Sequence, residues 1–186
     1  MKAKLLLASI ALIAISTARA EDEIPGPAVG QPFPHALEAP DQNGQMRSLA
    51  GLLGEKGAAV IFVRSADWCP FCQRQLAEVN SRLAEFEALG FSVVTVSVDE
   101  VPLIAQFADA QDIGYTMLAD PNGDINEELG IRDTQYPVGS AAFGVPRPIL
   151  YIVDRSGTIL ARYMEPTYRT RPDLDTVLAD AAALGL

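Results

Sequence analysis

The stretch AAVIFVRSADWCPFCQRQL, residues 58–76, holds both cysteines of a 186-residue chain and changes character in its middle. It begins as a continuous apolar run closed by Arg64, the pattern of a strand buried on both faces. From Leu76 onward, Val79, Leu83 and Phe86 recur at steps of three and four, which gives one helix an apolar face, and Gly90 supplies its stop. FSVVTVSVD, residues 91–99, reads as a second buried strand. Strand, helix and strand at this spacing predict a right-handed βαβ unit with a parallel pair. The cysteines fall where the first strand turns into the helix.

Working outward, Asn43-Gly44 marks a turn between two short extended pieces, and Ser48 is placed to cap a short helix ending at Gly54. Residues 101–111 read as a helix, 115–120 as a strand closed by Pro121-Asn122-Gly123, and 126–130 as a short helix. Residues 132–148 carry three prolines and read as irregular. Residues 149–154 and 158–164 make an antiparallel hairpin about Arg155-Ser156-Gly157, and 174–184 a closing helix. The expected class is α/β, a three-layer α/β/α sandwich with a mixed central sheet.

Residues 1–20 read as a signal peptide with a cut after Ala20: Lys2 and Lys4 precede the apolar run Leu5–Ile15, and Ala18 and Ala20 supply small residues. That run is shorter than the roughly 20 apolar residues a membrane span needs. Residues 21–35, with four prolines, read as an extended lead-in, leaving 36–186 as the domain. The expectation is a periplasmic or secreted protein without a membrane partner after cleavage. The formal charge of −10 excludes a nucleic-acid partner and otherwise reads as a solvated surface.

Two cysteines three positions apart make a poor structural staple, since closing so short a loop contributes roughly 2 kcal/mol by chain entropy against about 3 for a 15-residue loop. Their position suits chemistry better. Cys69 falls at a helix N-terminus, where unpaired N–H groups and the dipole favour a thiolate, and Pro70 fits the first turn because it needs no N–H partner. Cys72 lies over the same face and can close on Cys69. A thiolate that attacks a disulfide and a neighbour that resolves the mixed intermediate are what dithiol exchange requires. Asp67 reads as a helix cap in preference to a proton carrier, because a nearby carboxylate raises a thiol pKa.

FVRSADWCPFC and the later VPRPILYIVDRSGTILARY (145–163) resemble the thioredoxin-fold redoxins, and among them the peroxiredoxin-like AhpC/TSA branch that carries CxxC. The resemblance implies that Cys69 is the nucleophile and Cys72 the resolving thiol. It implies that Pro148, six residues before Asp154, follows a cis peptide bond and faces the cysteines. Trp68, Pro70, Phe71 and Arg147 would then line the groove for a substrate or partner, with Asp67 and Arg64 able to tune the thiolate. Two departures are visible. The peroxiredoxin pattern P-x-x-x-T-x-x-C would put proline at Phe62 and threonine at Ala66, and the family arginine would coincide with Pro148.

The expected function is therefore an exported thiol–disulfide oxidoreductase acting with a separate redox partner protein or small thiols. A peroxiredoxin-like peroxidase, with Cys69 passing through sulfenic acid, and a non-enzymatic module with a static disulfide stand beside it. No cofactor is implied. His35, the one histidine, and the two cysteines fall short of the four ligands zinc takes. Tyr163, Tyr168, Arg169 and Arg171 cluster after the last strand and read as an ordinary solvated loop in preference to a docking surface.

Overall fold

The computed structural model describes residues 24–34 and 38–184, so the candidate signal peptide and His35 lie outside the described residues. A hairpin comes first, β1 (Glu38–Pro40) against β2 (Met46–Ser48), turning at Asn43-Gly44. Asp41 fixes that turn by accepting from the N–H groups of Asn43 and Gln45. The 3₁₀ turn Leu49–Leu52 follows, with Ser48 at its N-cap position but no hydrogen bond from the Ser48 side chain.

The main sheet has the order β5-β4-β3-β6-β7. β3 (Gly57–Phe62), β4 (Phe91–Ser97) and β5 (Thr116–Ala119) run parallel, and β6 (Ile149–Asp154) and β7 (Ile159–Tyr163) are antiparallel additions. All six residues of β3 are buried, as its unbroken apolar run requires of a central strand. Alternation divides them: Ala59 and Ile61 face one core, Ala58, Val60 and Phe62 the other.

The first core is covered by α1 (Pro70–Ser81), α2 (Leu83–Ala88), α3 (Val101–Gln111) and α5 (Leu174–Ala183), which supply Leu76, Phe86, Ile104 and Val177. The second is covered by the hairpin, the 3₁₀ turn and α4 (Asp124–Glu128), with Phe33 packed on Phe62 and Tyr151. The result is the expected mixed sheet with helices on both sides.

Two local expectations are corrected. The helix expected to run unbroken through Phe86 is interrupted at Arg82. Ser81 Oγ donates to the Glu78 carbonyl that the Arg82 N–H would otherwise use, and the Arg82 N–H turns to Val79 O instead. The short helix expected at 126–130 starts two residues earlier. Gly123, at φ +74°, delivers the chain into it, and the Asp120 carboxylate accepts from the N–H groups of Ile125 and Asn126.

Candidate active site

β3 leads into a loop that is tied down before it reaches the cysteines. Asp99, just past β4 and 3 % exposed, accepts from Ser65 Oγ at 2.6 Å, the Ala66 N–H at 2.6 Å and Ser97 Oγ at 2.7 Å. Ser65 Oγ in turn accepts from the N–H groups of Asp67 and Trp68. Gln73, one turn into α1, donates back to the carbonyls of Ala66 and Asp67. Every polar group from Ser65 to Trp68 that these bonds reach is thereby satisfied from within, which fixes where Cys69 stands.

Cys69 is the N-cap of α1, and the Cys72 N–H points at its carbonyl (3.0 Å) and its sulfur (3.4 Å). The two sulfurs form a disulfide across Cα atoms 5.2 Å apart, with Cys69 2 % and Cys72 0 % exposed. Pro70 opens the helix as the sequence predicts. Asp67 does not cap it: that position belongs to Cys69, and the hydroxyl of Ser65 has already taken the Asp67 N–H. The exposed Asp67 carboxylate makes no hydrogen bond among the described residues.

The other wall comes from the segment expected to be an ordinary solvated loop, and that expectation is overturned. Arg171 Nη2 donates to Cys72 Sγ at 3.3 Å, its Nε to Gln75 Oε1, and its Nη1 to the carbonyls of Tyr168 and Thr170. Burial, then the charges of Arg64 and Arg74, hold its pKa down to about 10, so it remains a cation at neutral pH. Tyr168 meets Phe71 edge-on at 5.9 Å. Tyr163, grouped with these residues in the sequence, instead donates to Asp180 on α5 and takes no part.

Arg64 is 6 % exposed and lies among three aromatic rings, its Cζ 4.4 Å from the Tyr168 centroid and 5.1 Å from those of Trp68 and Tyr136. Its Nη2 donates to Tyr136 Oη at 3.3 Å, while its Nε has no hydrogen-bond partner among the described residues. Trp68 remains 42 % exposed beside it.

The expectation of a cis bond before Pro148 is corrected: the Arg147–Pro148 bond is trans. The chain is already extended there, bridging Arg132 to Pro146 and donating the Arg147 N–H to Ile131 O before it enters β6. A residue before proline prefers that extended form. Pro148 and Arg147 line a groove of about 680 Å³ together with Tyr168 and Thr167. The structure places neither in a hydrogen bond with the cysteine sulfurs among the described residues.

Sequence reasoning missed Asp99, Gln73 and Arg171. Asp99 had a signal, a carboxylate closing the apolar run FSVVTVSVD. Arg171 had only its place in a noticed cluster, because its contact with Cys72 spans 99 residues. Together these groups do one thing chemically. A helix N-terminus and a guanidinium, with a second buried guanidinium nearby, favour negative charge on sulfur once the disulfide is reduced.

Known proteins show which family the chain resembles. A relative from Mycobacterium tuberculosis is 29% identical over 125 residues, 67% of this chain and 78% of its own length. Peroxiredoxin Bcp of Escherichia coli is 23% identical over 139 residues, 75% of this chain and 86% of its own. The crystal structure of peroxidoxin BcpB from Mycobacterium tuberculosis superposes with a TM-score of 0.71 at 21% identity, covering 87% of this chain and 99% of that one, which shows the shared fold. The family model for AhpC/TSA matches residues 29–162, from the lead-in through β7, a family whose named relatives support a thiol-based redox function: this chain belongs to the AhpC/TSA family.

Proposed function

We propose that the protein is a thiol peroxidase of the peroxiredoxin type, in which Cys69 is oxidised by a hydroperoxide and Cys72 resolves the product. The observation that carries this reading is the pairing of a cysteine at the N-cap of α1 with Arg171 Nη2 3.3 Å from Cys72 Sγ. The peroxiredoxin names of its relatives support it. The Cys69 thiolate attacks one peroxide oxygen, the O–O bond breaks, and an alcohol or water leaves with a proton. The resulting sulfenic acid meets the Cys72 thiolate, forming the disulfide and expelling hydroxide, which takes a proton from solvent to leave as water. Two equivalents of thiol then restore the dithiol by exchange.

A second reading has its own observation. Ala66 and Phe62 stand where the peroxiredoxin pattern has threonine and proline, and the hydroxyl of the adjoining Ser65 is spent on Asp99 and the loop. Without the pattern's threonine to orient the peroxide, the same dithiol would act by exchange with a partner protein's disulfide alone. The deciding measurement is a stopped-flow titration of the reduced protein with hydroperoxide, read by Trp68 fluorescence. Stoichiometric loss of two thiols within seconds, and arrest of Cys72→Ser at a trappable sulfenic acid, support the peroxidase. Reaction only with disulfides leaves the oxidoreductase.

Export is part of the same proposal and rests on the composition of residues 1–20. An N-terminus at Glu21 on protein recovered outside the cytoplasm is the expected finding, and recovery of the full-length chain inside it overturns the point.

A further inference from the structure

Four guanidinium groups gather around the CxxC turn, and none of them is paired with a carboxylate among the described residues. Arg64 and Arg169 lie over the Tyr168 ring, with Arg169 Cζ 5.5 Å from its centroid and its Nε donating to the phenol. Arg74 Cζ lies 4.9 Å from the Phe71 ring, and Arg171 reaches Cys72. Four guanidinium groups thus surround one edge-to-face aromatic pair beside the disulfide. These four make no ion pair among the described residues, and unlike Arg155 and Arg162, whose guanidinium groups are taken up by backbone carbonyls, Arg64 and Arg74 have no carbonyl acceptor either.

The chain has 24 acidic residues to 14 basic ones, so carboxylates are not scarce. Arg64 goes further. Its charge is almost wholly out of water, and its Nε is left without an acceptor, a costly arrangement unless an anion arrives from outside.

From this geometry we infer that the disulfide is reduced by thiols that carry a carboxylate, the carboxylate held by the arginine collar while the sulfur reaches Cys69. The inference rests on the CxxC being redox-active and holds for either reading of the oxidising half. The substrate thiolate attacks Cys69 Sγ, and the Cys69–Cys72 bond breaks. Cys72 leaves as a thiolate within reach of Arg171, the better-stabilised of the two departures. A second thiolate attacks the substrate sulfur of the mixed disulfide. Cys69 leaves as a thiolate, and the substrate departs as its own disulfide. The Phe71–Tyr168 pair offers the substrate's carbon chain an apolar floor.

The test uses the oxidised full-length protein and three probes: 3-mercaptopropionate, 2-mercaptoethanol and cysteamine. Rates are compared per thiolate, corrected for nucleophilicity. The net charge of −10 alone predicts that the cationic thiol is fastest. The collar predicts the reverse at low salt, with the anionic thiol leading the neutral one by about tenfold. That lead shrinks towards unity at about 0.5 M salt, where screening shortens to a few ångströms. In Arg74→Gln/Arg169→Gln, both sites being exposed, the ratio of anionic to neutral rate also falls towards one. Equal rates for the three thiols, or a cationic lead, overturn the inference and leave the arginines to the protein's own sulfurs. Failure of every thiol to reduce the disulfide overturns the redox reading as well.

Discussion

Two buried carboxylates stand at the ends of neighbouring strands and do different work. Asp99 follows β4 and accepts from three donors at 2.6–2.7 Å; Asp120 follows β5 and accepts from two backbone N–H groups, both at 3.3 Å. They are 3 % and 5 % exposed, so the two are about equally removed from water. At Asp120 burial outweighs the hydrogen bonds and pushes the pKa up to about 6. The geometric difference teaches that how firmly a buried carboxylate ties down its neighbours depends on the number and length of its donors rather than on its place in the fold. The secured one holds the loop that presents Cys69, and the loosely held one merely starts α4.

The comparison can be broken most forcefully at Asp99. Asp99→Ala strips three donors of their acceptor and is expected to cost about 4 kcal/mol in urea unfolding at pH 7, with slower reaction at Cys69. A normal melt with unchanged sulfur chemistry would show that the loop does not need it.

At Asp120 the effect is smaller and depends on pH. Its folded pKa lies above the unfolded value of 3.8, so the folded state binds the extra proton between the two. Its contribution is fully present below about pH 4 and is lost as pH rises through about 6. Comparing urea midpoints at pH 4 and 7.5, Asp120→Asn should remove about 2 kcal/mol of that loss while leaving thiol reactivity alone.

Arg171→Gln sharpens the comparison at the Asp99 end. The Cys72-dependent step should slow about tenfold at pH 7, with its pH–rate midpoint moving up, because a nearby cation no longer favours the thiolate. Stopped-flow rates against pH read both changes. Near Asp120, Glu127→Gln breaks the exposed ion pair with Arg132 and should change stability by under about 0.5 kcal/mol and the sulfur chemistry not at all, as chemical denaturation and peroxide titration would show.

How much of this was legible beforehand follows from the range of each interaction. β3, β4 and β6 announce themselves because full burial writes an unbroken apolar run, and Cys69 at a helix start follows from strand, turn and helix read in order. The break at Arg82 is local but quiet, since it turns on one serine hydroxyl capturing one carbonyl. The arginines were illegible for another reason. A charged side chain in a loop looks the same in sequence whether water or a sulfur 99 residues away receives it, and only the fold brings Arg171 to Cys72. The resemblance implies a cis bond before Pro148, and the residues themselves carry no signal against it; the bond is trans, and the bridge from Arg132 to Pro146 carries an extended chain into β6.

The ring closed by Cys69 and Cys72 spans only the N-cap and first turn of α1, with Cα atoms 5.2 Å apart. Making and breaking the bond is then a matter of side-chain rotation, with no stretch of backbone to melt and reform. A crystal grown in one redox state should survive conversion to the other without cracking, and a viscous solvent should leave the intramolecular sulfur step at full speed.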